Sequence, residues 1–318
     1  GTKVLGENHS SLATTRSNLA SCLQSRGDIE AAEALFRDAL DLRRTTLGPD
    51  HPRVAASLNN LGNLLYQRGD IAGAEPLFSD ALRIYRLQPE SLHPGAASAL
   101  NNLAATLRRR GELRGAEDLL REALTMNRAM LGEAHPEIAL NLSNLGAVLE
   151  RRGEVAAAEE HYLKALAIYQ QLFGGVHLQA AVTRHALALL LRQAGRLDEA
   201  EAEARAAVAL RRELLGDAHR ELALSTLLLG RLLLEQGDPS AAEPILRQAV
   251  DVWLRLPETA QQPGLAITHS PLGYCLSLLG NNTEAEALLS ESEAYLRNRF
   301  GAGHRWTREA RAWLDALR

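Results

Sequence analysis

Between residues 54 and 85 the apolar positions fall into two stripes with helical spacing. Val54, Leu58, Leu61 and Leu65 define one face, and Ile71, Ala74, Leu77, Phe78, Ala81, Leu82 and Tyr85 define a second. Arg68-Gly69-Asp70 lies between them and predicts a break. Glycine supplies the left-handed backbone of a helix end, and the aspartate can cap the next helix. His51-Pro52 opens the unit; proline is tolerated at a first helical position, where its missing N–H would be unpaired anyway. The pattern predicts a helical hairpin over residues 51–92.

The hairpin recurs every 42 residues. Histidine stands at His9, His51, His93, His135, His177 and His219. Glycine stands at Gly27, Gly69, Gly111, Gly153, Gly195 and Gly237. An Ala-Glu pair begins at Ala32, Ala74, Ala116, Ala158, Ala200 and Ala242. A fixed period in this range signals stacked supersecondary units that present a long surface rather than one cleft. Two positions are always small. One holds Ala20, Gly62, Ala104, Gly146, Ala188, Gly230 and Gly273; the other holds Ala32, Ala74, Ala116, Ala158, Ala200, Ala242 and Ala285. Small residues at fixed points predict a close crossing of the two helices, where a larger side chain would overpack.

The small residues, the leucine spacing and the Gly-Asp turn resemble a tetratricopeptide repeat. The 42-residue period, Leu-Asn-Asn-Leu at 58–61 and 100–103, and Leu-Gly-x-x-His at 5–9, 47–51 and 131–135 are similar to the kinesin light chain type. The resemblance implies an all-α, right-handed α-solenoid (a superhelix) of about seven hairpins. These make a single array over 1–318, with repeats at 9–50, 51–92, 93–134, 135–176, 177–218, 219–261 and 262–303. A capping helix over 304–318, with Trp306, Ala310, Trp313 and Leu317 on one face, should cover the last hairpin.

The register slips once. Gly280 follows Gly237 by 43 residues, which places one inserted residue between Pro257 and Pro263, and Gln262 stands where the histidine would be. Pro271 falls inside the first helix of the seventh unit, opposite the Ile267 carbonyl. A kink, or a restart capped by Ser270, is expected there. Val4-Leu5-Gly6 reads as the tail of a preceding second helix, as if the chain were cut from a longer array or the array began mid-unit.

Composition adds bounds. Apolar residues make up 46% and aromatics 4%, a core rich in alanine and leucine. The net charge of −4 gives no reason to expect nucleic acid. No apolar run reaches membrane-spanning length and no signal peptide opens the chain. Cys22 and Cys275 share one repeat position, read as small buried hydrophobes, and fit a reducing, cytoplasmic setting. Lys3 and Lys164 are the only lysines, so arginine carries the positive charge, as in a GC-rich bacterial genome.

No sequence signature of catalysis is present: no G-x-S-x-G, P-loop, H-E-x-x-H, C-x-x-C or dinucleotide fingerprint. No enzyme activity and no cofactor are expected. A metal ladder of loop histidines is excluded because stacked helices lie about 10 Å apart, far beyond a shared ion's reach. Each loop histidine is expected to cap a helix or pack in its turn. His161, His185 and His269 lie outside that series and read as solvated or partner-facing.

The resemblance implies that first helices line a concave groove. The groove position nine residues before each hairpin glycine holds Asn18, Asn60, Asn102, Asn144, Ala186, Leu228 and Pro271. The preceding position holds Ser17, Asn59, Asn101, Ser143, His185, Leu227 and Ser270, and Asn63 lies one turn on from Asn59. An amide offers donors and an acceptor and can pair with the backbone of an extended peptide. Units one to four thus present amides. Units five to seven present an apolar stretch that includes Val182, Leu189, Leu224, Leu227, Leu228 and Ile267. Contiguous exposed apolar surface marks a binding site. Arg108, Arg109, Arg151 and Arg192 at the hairpin ends favour an acidic peptide through forked guanidinium–carboxylate pairs. The resemblance also implies acidic, tryptophan-containing partner segments. The register of the related clamp lysine holds Ala56, Ser98 and Leu140, so a C-terminal carboxylate clamp is not expected.

The expected function is a protein-interaction module. It would capture a peptide or helix with Asn60, Asn102 and Asn144 and anchor it with Leu189, Leu224 and Leu228. The alternative is the regulatory or sensor region of a larger bacterial signalling enzyme, with the groove on a fused kinase, nucleotide-binding or caspase-like protease domain.

Overall fold

A computed structural model describes residues 2–88, 92–257 and 263–317, with the backbone alone at 2–10. All regular structure among these residues is helical. The helices are α1 (Thr2–Ser25), α2 (Ile29–Leu47), α3 (Pro52–Arg68), α4 (Ile71–Arg86), α5 (Pro94–Arg110), α6 (Leu113–Leu131), α7 (Pro136–Arg151) and α8 (Val155–Phe173). They continue with α9 (Leu178–Gln193), α10 (Leu197–Leu215), α11 (Arg220–Glu235), α12 (Pro239–Leu254), α13 (Gly264–Leu278), α14 (Asn282–Phe300) and α15 (Arg305–Leu317). The chain divides into two compact units, residues 1–168 and 169–318.

Within each unit the hairpins form as the small positions predict. A Cβ at Gly62 would sit 2.6 Å from the Phe78 ring, one at Gly146 2.8 Å from the Tyr162 ring, and one at Gly273 2.8 Å from Leu289. Ala20, Ala104 and Ala188, at the same position, are fully buried, as are Ala32, Ala74, Ala116, Ala158, Ala200, Ala242 and Ala285 across the crossing. The helices therefore meet with no room for a larger side chain.

The turns follow the residue chemistry. Gly69 takes φ +93°, and Asp70 Oδ1 accepts from Gly73 N at 2.9 Å. Asp28 and Asp238 cap α2 and α12 the same way. The loop histidines cap the first helices. His51, His93, His135, His177 and His219 each accept, through Nδ1, the backbone N–H two residues on, at 2.9–3.2 Å. His304 does so for α15 at 3.4 Å. Several also stack on an aromatic of the preceding helix: His93 on Tyr85, His177 on Tyr169 and Phe173, His304 on Phe300.

Neighbouring hairpins of the first unit are tied by ion pairs that use the glutamate of the Ala-Glu motif. Glu33 bonds Arg68, Glu75 bonds Arg110 and Glu117 bonds Arg152. Glu33 and Glu117 are buried beneath their arginines. α15 packs on α13 and α14, with Ala310 buried and Trp313 stacked on Tyr274 at 4.8 Å.

Four expectations need correction or placement. α1 runs unbroken through Gly6 and His9, where the register predicts a loop. Cys22 is exposed, because no described helix covers the side of α1 that faces the preceding hairpin in later repeats; Cys275 is buried there and its thiol donates to the Pro239 carbonyl. α13 runs through Pro271 without a restart at Ser270, whose buried hydroxyl instead bonds the Ala266 carbonyl together with Ser292. The inserted residue and Gln262 lie in 258–262, outside the described residues.

Candidate functional site

The sequence-predicted amides are half-buried on the first helices, apart from exposed Asn18 and buried Asn101. Some already hold one another. Asn102 Nδ2 donates to Asn59 Oδ1 at 2.9 Å, a bond from α5 to α3. Asn127 on α6 donates to Asn141 Oδ1 on α7 at 2.7 Å, and Asn141 Nδ2 donates to Asn101 Oδ1 on α5 at 2.5 Å. An amide ladder therefore exists in the first unit, and it ties neighbouring repeats. Asn60, Asn63 and Asn144 stand half-buried beside it. Arg109 lies over the Tyr66 ring at 4.5 Å, and Arg151 donates to the Arg108 carbonyl at 2.5 Å.

The second unit holds a pocket of about 800 Å³. His185, Leu189 and Arg192 of α9 line it, with Arg220, Leu224, Leu227, Leu228 and Arg231 of α11. Trp253, Gly264 and Ile267 close one side, and Phe300, Arg305, Trp306 and Glu309 another. The apolar anchors expected from sequence, Leu189, Leu224 and Leu228, thus meet in one place together with His185. Leu227 and Leu228 are only 6% and 5% exposed, so they form the floor rather than the open surface expected of them. Val182 is exposed outside the lining.

Gly264 lines the pocket because nothing larger fits: a Cβ there would collide with the Trp253 indole. Trp253 is itself fixed by its Nε1–H to Thr268 Oγ1 at 3.1 Å. The sequence reading missed Trp253 and Glu309 and placed Trp306 only on the capping helix; Glu309 pairs with Arg231, 78 residues away in the chain. The Trp306 and Trp313 pattern placed a capping helix on the last hairpin, where α15 lies, without showing that Trp306 and Glu309 would also line a pocket with α9 and α11.

Charge in the pocket is unbalanced. Arg192 forms a fork with Glu235, with Nε–O distances of 2.9 and 2.8 Å, so it is not free to take an acidic peptide as the sequence reading had it. Its proton is held more tightly by that bond. Arg231 is matched by Glu309. Arg220 and Arg305 are exposed and have no ion pair among the described residues; Arg305 lies over the Trp306 ring at 5.2 Å. Burial, and then Arg211, push the His185 pKa down to about 4, so its ring is neutral near pH 7.

No group of three or more His, Cys, Asp or Glu side chains that could hold a metal occurs among the described residues, and no helix there is long and apolar enough to cross a membrane. A pocket of this size, apolar with a few placed polar groups, suits a ligand or an anchoring side chain.

Known structures share the fold. A Rap protein complexed with competence and sporulation factor is 18% identical, with a TM-score of 0.64 over 100% of this chain and 80% of that one. BtubC (BKLC) from P. vanneervenii is 20% identical, with a TM-score of 0.56 over 78% and 90% of the two chains. A putative kinesin light chain of nearly identical TPR-like repeats from Podosopora anserina is 23% identical, with a TM-score of 0.53 over 64% and 96%. A search of curated proteins gave no significant match. The tetratricopeptide repeat profile matches residues 2–45, 11–87, 53–129, 137–213 and 185–255, and a second profile of that repeat matches 227–295. With most of the sequence matched and its helices paired as hairpins, the chain belongs to the tetratricopeptide repeat family.

Proposed function

We propose that the chain is a non-enzymatic protein-interaction module whose second unit anchors a segment of a protein partner. The observation that carries this reading is the pocket on α9, α11, α13 and α15, where Leu189, Leu224 and Ile267 remain partly exposed beside two arginines without an ion pair among the described residues. Apolar surface left open in this way is stabilised by a partner. The half-buried Asn60, Asn102 and Asn144 of the first unit supply amides for backbone pairing. The Rap relative captured with competence and sporulation factor offers a precedent for a ligand on this fold.

The test is selection from a displayed peptide library on the full chain. Enriched sequences should share an apolar residue, and Leu224→Glu should lose them while its helical circular dichroism is unchanged. Asn60→Ala, Asn102→Ala and Asn144→Ala together should weaken capture without unfolding. Enrichment of the same sequences by wild type and Leu224→Glu would remove the pocket from the reading.

A further inference from the structure

The groove positions of alternate repeats are wired to the helices behind them. In the second unit, Arg211 on α10 donates Nη1 to Ser225 Oγ on α11, and Ser225 Oγ lies 2.9 Å from His185 Nδ1 on α9. In the first unit, Asn127, Asn141 and Asn101 make the same connection at the same sequence separations, 14 and then 40 residues. The third member is in each case the residue that faces the groove in the repeat register.

The direction of the second relay is settled by counting protons. Arginine only donates, so Ser225 Oγ accepts from Arg211. Ser225 is fully buried and its hydroxyl has one proton to place. Among the described residues its acceptor is His185 Nδ1. The neutral ring then carries its own proton on Nε2. Nε2 has no partner among the described residues, and His185 lines the pocket beside Leu189 and Leu224.

We propose that His185 is the specificity-determining residue of the pocket: a fixed Nε2–H donor that reads an oxygen on the occupant and refuses a cation. This rests on the reading that the pocket anchors a partner segment. Charge complementarity identifies the occupant. Among the described residues Arg220 and Arg305 have no ion-pair partner, and His185 adds a donor between apolar walls. A peptide segment that places an apolar side chain against Leu189, Leu224 and Ile267, next to a carboxylate, satisfies all of them. An ammonium group would find one lining carboxylate, Glu309, already paired with Arg231, among guanidinium groups and a donor.

The experiment is NMR on the full chain, reading the His185 ring nitrogens and the Leu189, Leu224 and Ile267 methyl groups. Without any probe, His185 should show the Nε2–H tautomer, and Ser225→Ala should yield a mixture of tautomers. Indole-3-propionate should then shift the Nε2–H and the methyl groups and bind about tenfold more tightly than tryptamine, the scale of a hydrogen bond to a charged group. His185→Phe, which keeps a ring of similar shape, should reduce that preference to the part that Arg220 and Arg305 supply. An Nδ1–H tautomer, or equal affinity for the two probes, overturns this inference and leaves the pocket reading standing. Methyl groups that respond to neither probe overturn the pocket reading and the inference with it. Methyl shifts that depend on protein concentration without any probe would seat a second copy of the chain in the pocket and likewise overturn the assignment.

Discussion

At His185 the burial that keeps the ring neutral also links stability to pH. The folded-state pKa, about 4, lies below the ordinary value of 6.5. The unfolded chain therefore takes up the proton first as pH falls. The neutral ring's contribution is complete above pH 6.5 and is lost progressively down to about pH 4. His269 is shifted the same way by burial and adds to the slope. Urea unfolding at pH 7 and pH 5 should show a loss for wild type that His185→Gln reduces by about 1 kcal/mol; an unchanged difference would mean that the ring is already solvated. The two cysteines diverge for the same reason of environment. Burial pushes the Cys275 thiol up to about 11, whereas Cys22 is open to solvent. A thiol reagent should titrate one group in the native chain and two in denaturant. Their shared repeat position suggested equal burial. It could not show that no described helix covers that side of α1.

At the scale of the element, the helices and their crossings were legible because their causes are local. Gly69, Asp70 and the His51 cap act within a few residues, and the period repeats each message. A Cβ at Gly62, Gly146, Gly230 or Gly273 would meet Phe78, Tyr162, Leu246 or Leu289 of the second helix. Gly62→Leu should therefore force Phe78 aside and cost about 1–3 kcal/mol. Combined with Phe78→Ala it should cost less than the two changes summed, a coupling that chemical denaturation of the double-mutant cycle would read. His135→Ala removes the cap of α7 and should cost about 1 kcal/mol, with His135→Asn restoring most of it. What was not legible at this scale is who holds whom between helices. Asn59, Asn101 and Asn102 read as open groove amides. Their bonds to Asn102, Asn141 and Asn59 depend on residues 40–43 positions away. A trace of the relay was nonetheless present. At one second-helix position the chain alternates Arg43, Tyr85, Asn127, Tyr169, Arg211 and Trp253, and the polar members are those that bond Ser57, Asn141 and Ser225.

For the whole molecule, an array of this kind derives its cooperativity from the contacts between neighbours, since each hairpin has little core of its own. In the first unit those contacts combine apolar packing with the glutamates that follow the invariant alanines. Glu33, Glu75 and Glu117 each reach an arginine at the end of the next first helix. Arg68, Arg110 and Arg152 also bond the carboxylate two residues on, Asp70, Glu112 and Glu154, so each tie anchors the turn as well as the neighbour. An exposed pair contributes little, but Glu33 and Glu117 are largely covered, and removing either partner strands a charge. Replacing Glu33, Glu75 and Glu117 with glutamine removes the charge and keeps the shape. If these ties carry coupling, the urea transition followed by circular dichroism should broaden, with a smaller m-value or two phases, as hairpins of residues 1–168 begin to melt apart from their neighbours. If they add stability without coupling, the midpoint will fall and the slope will not change. The broadened transition is the expected outcome, because the three ties span successive hairpin junctions.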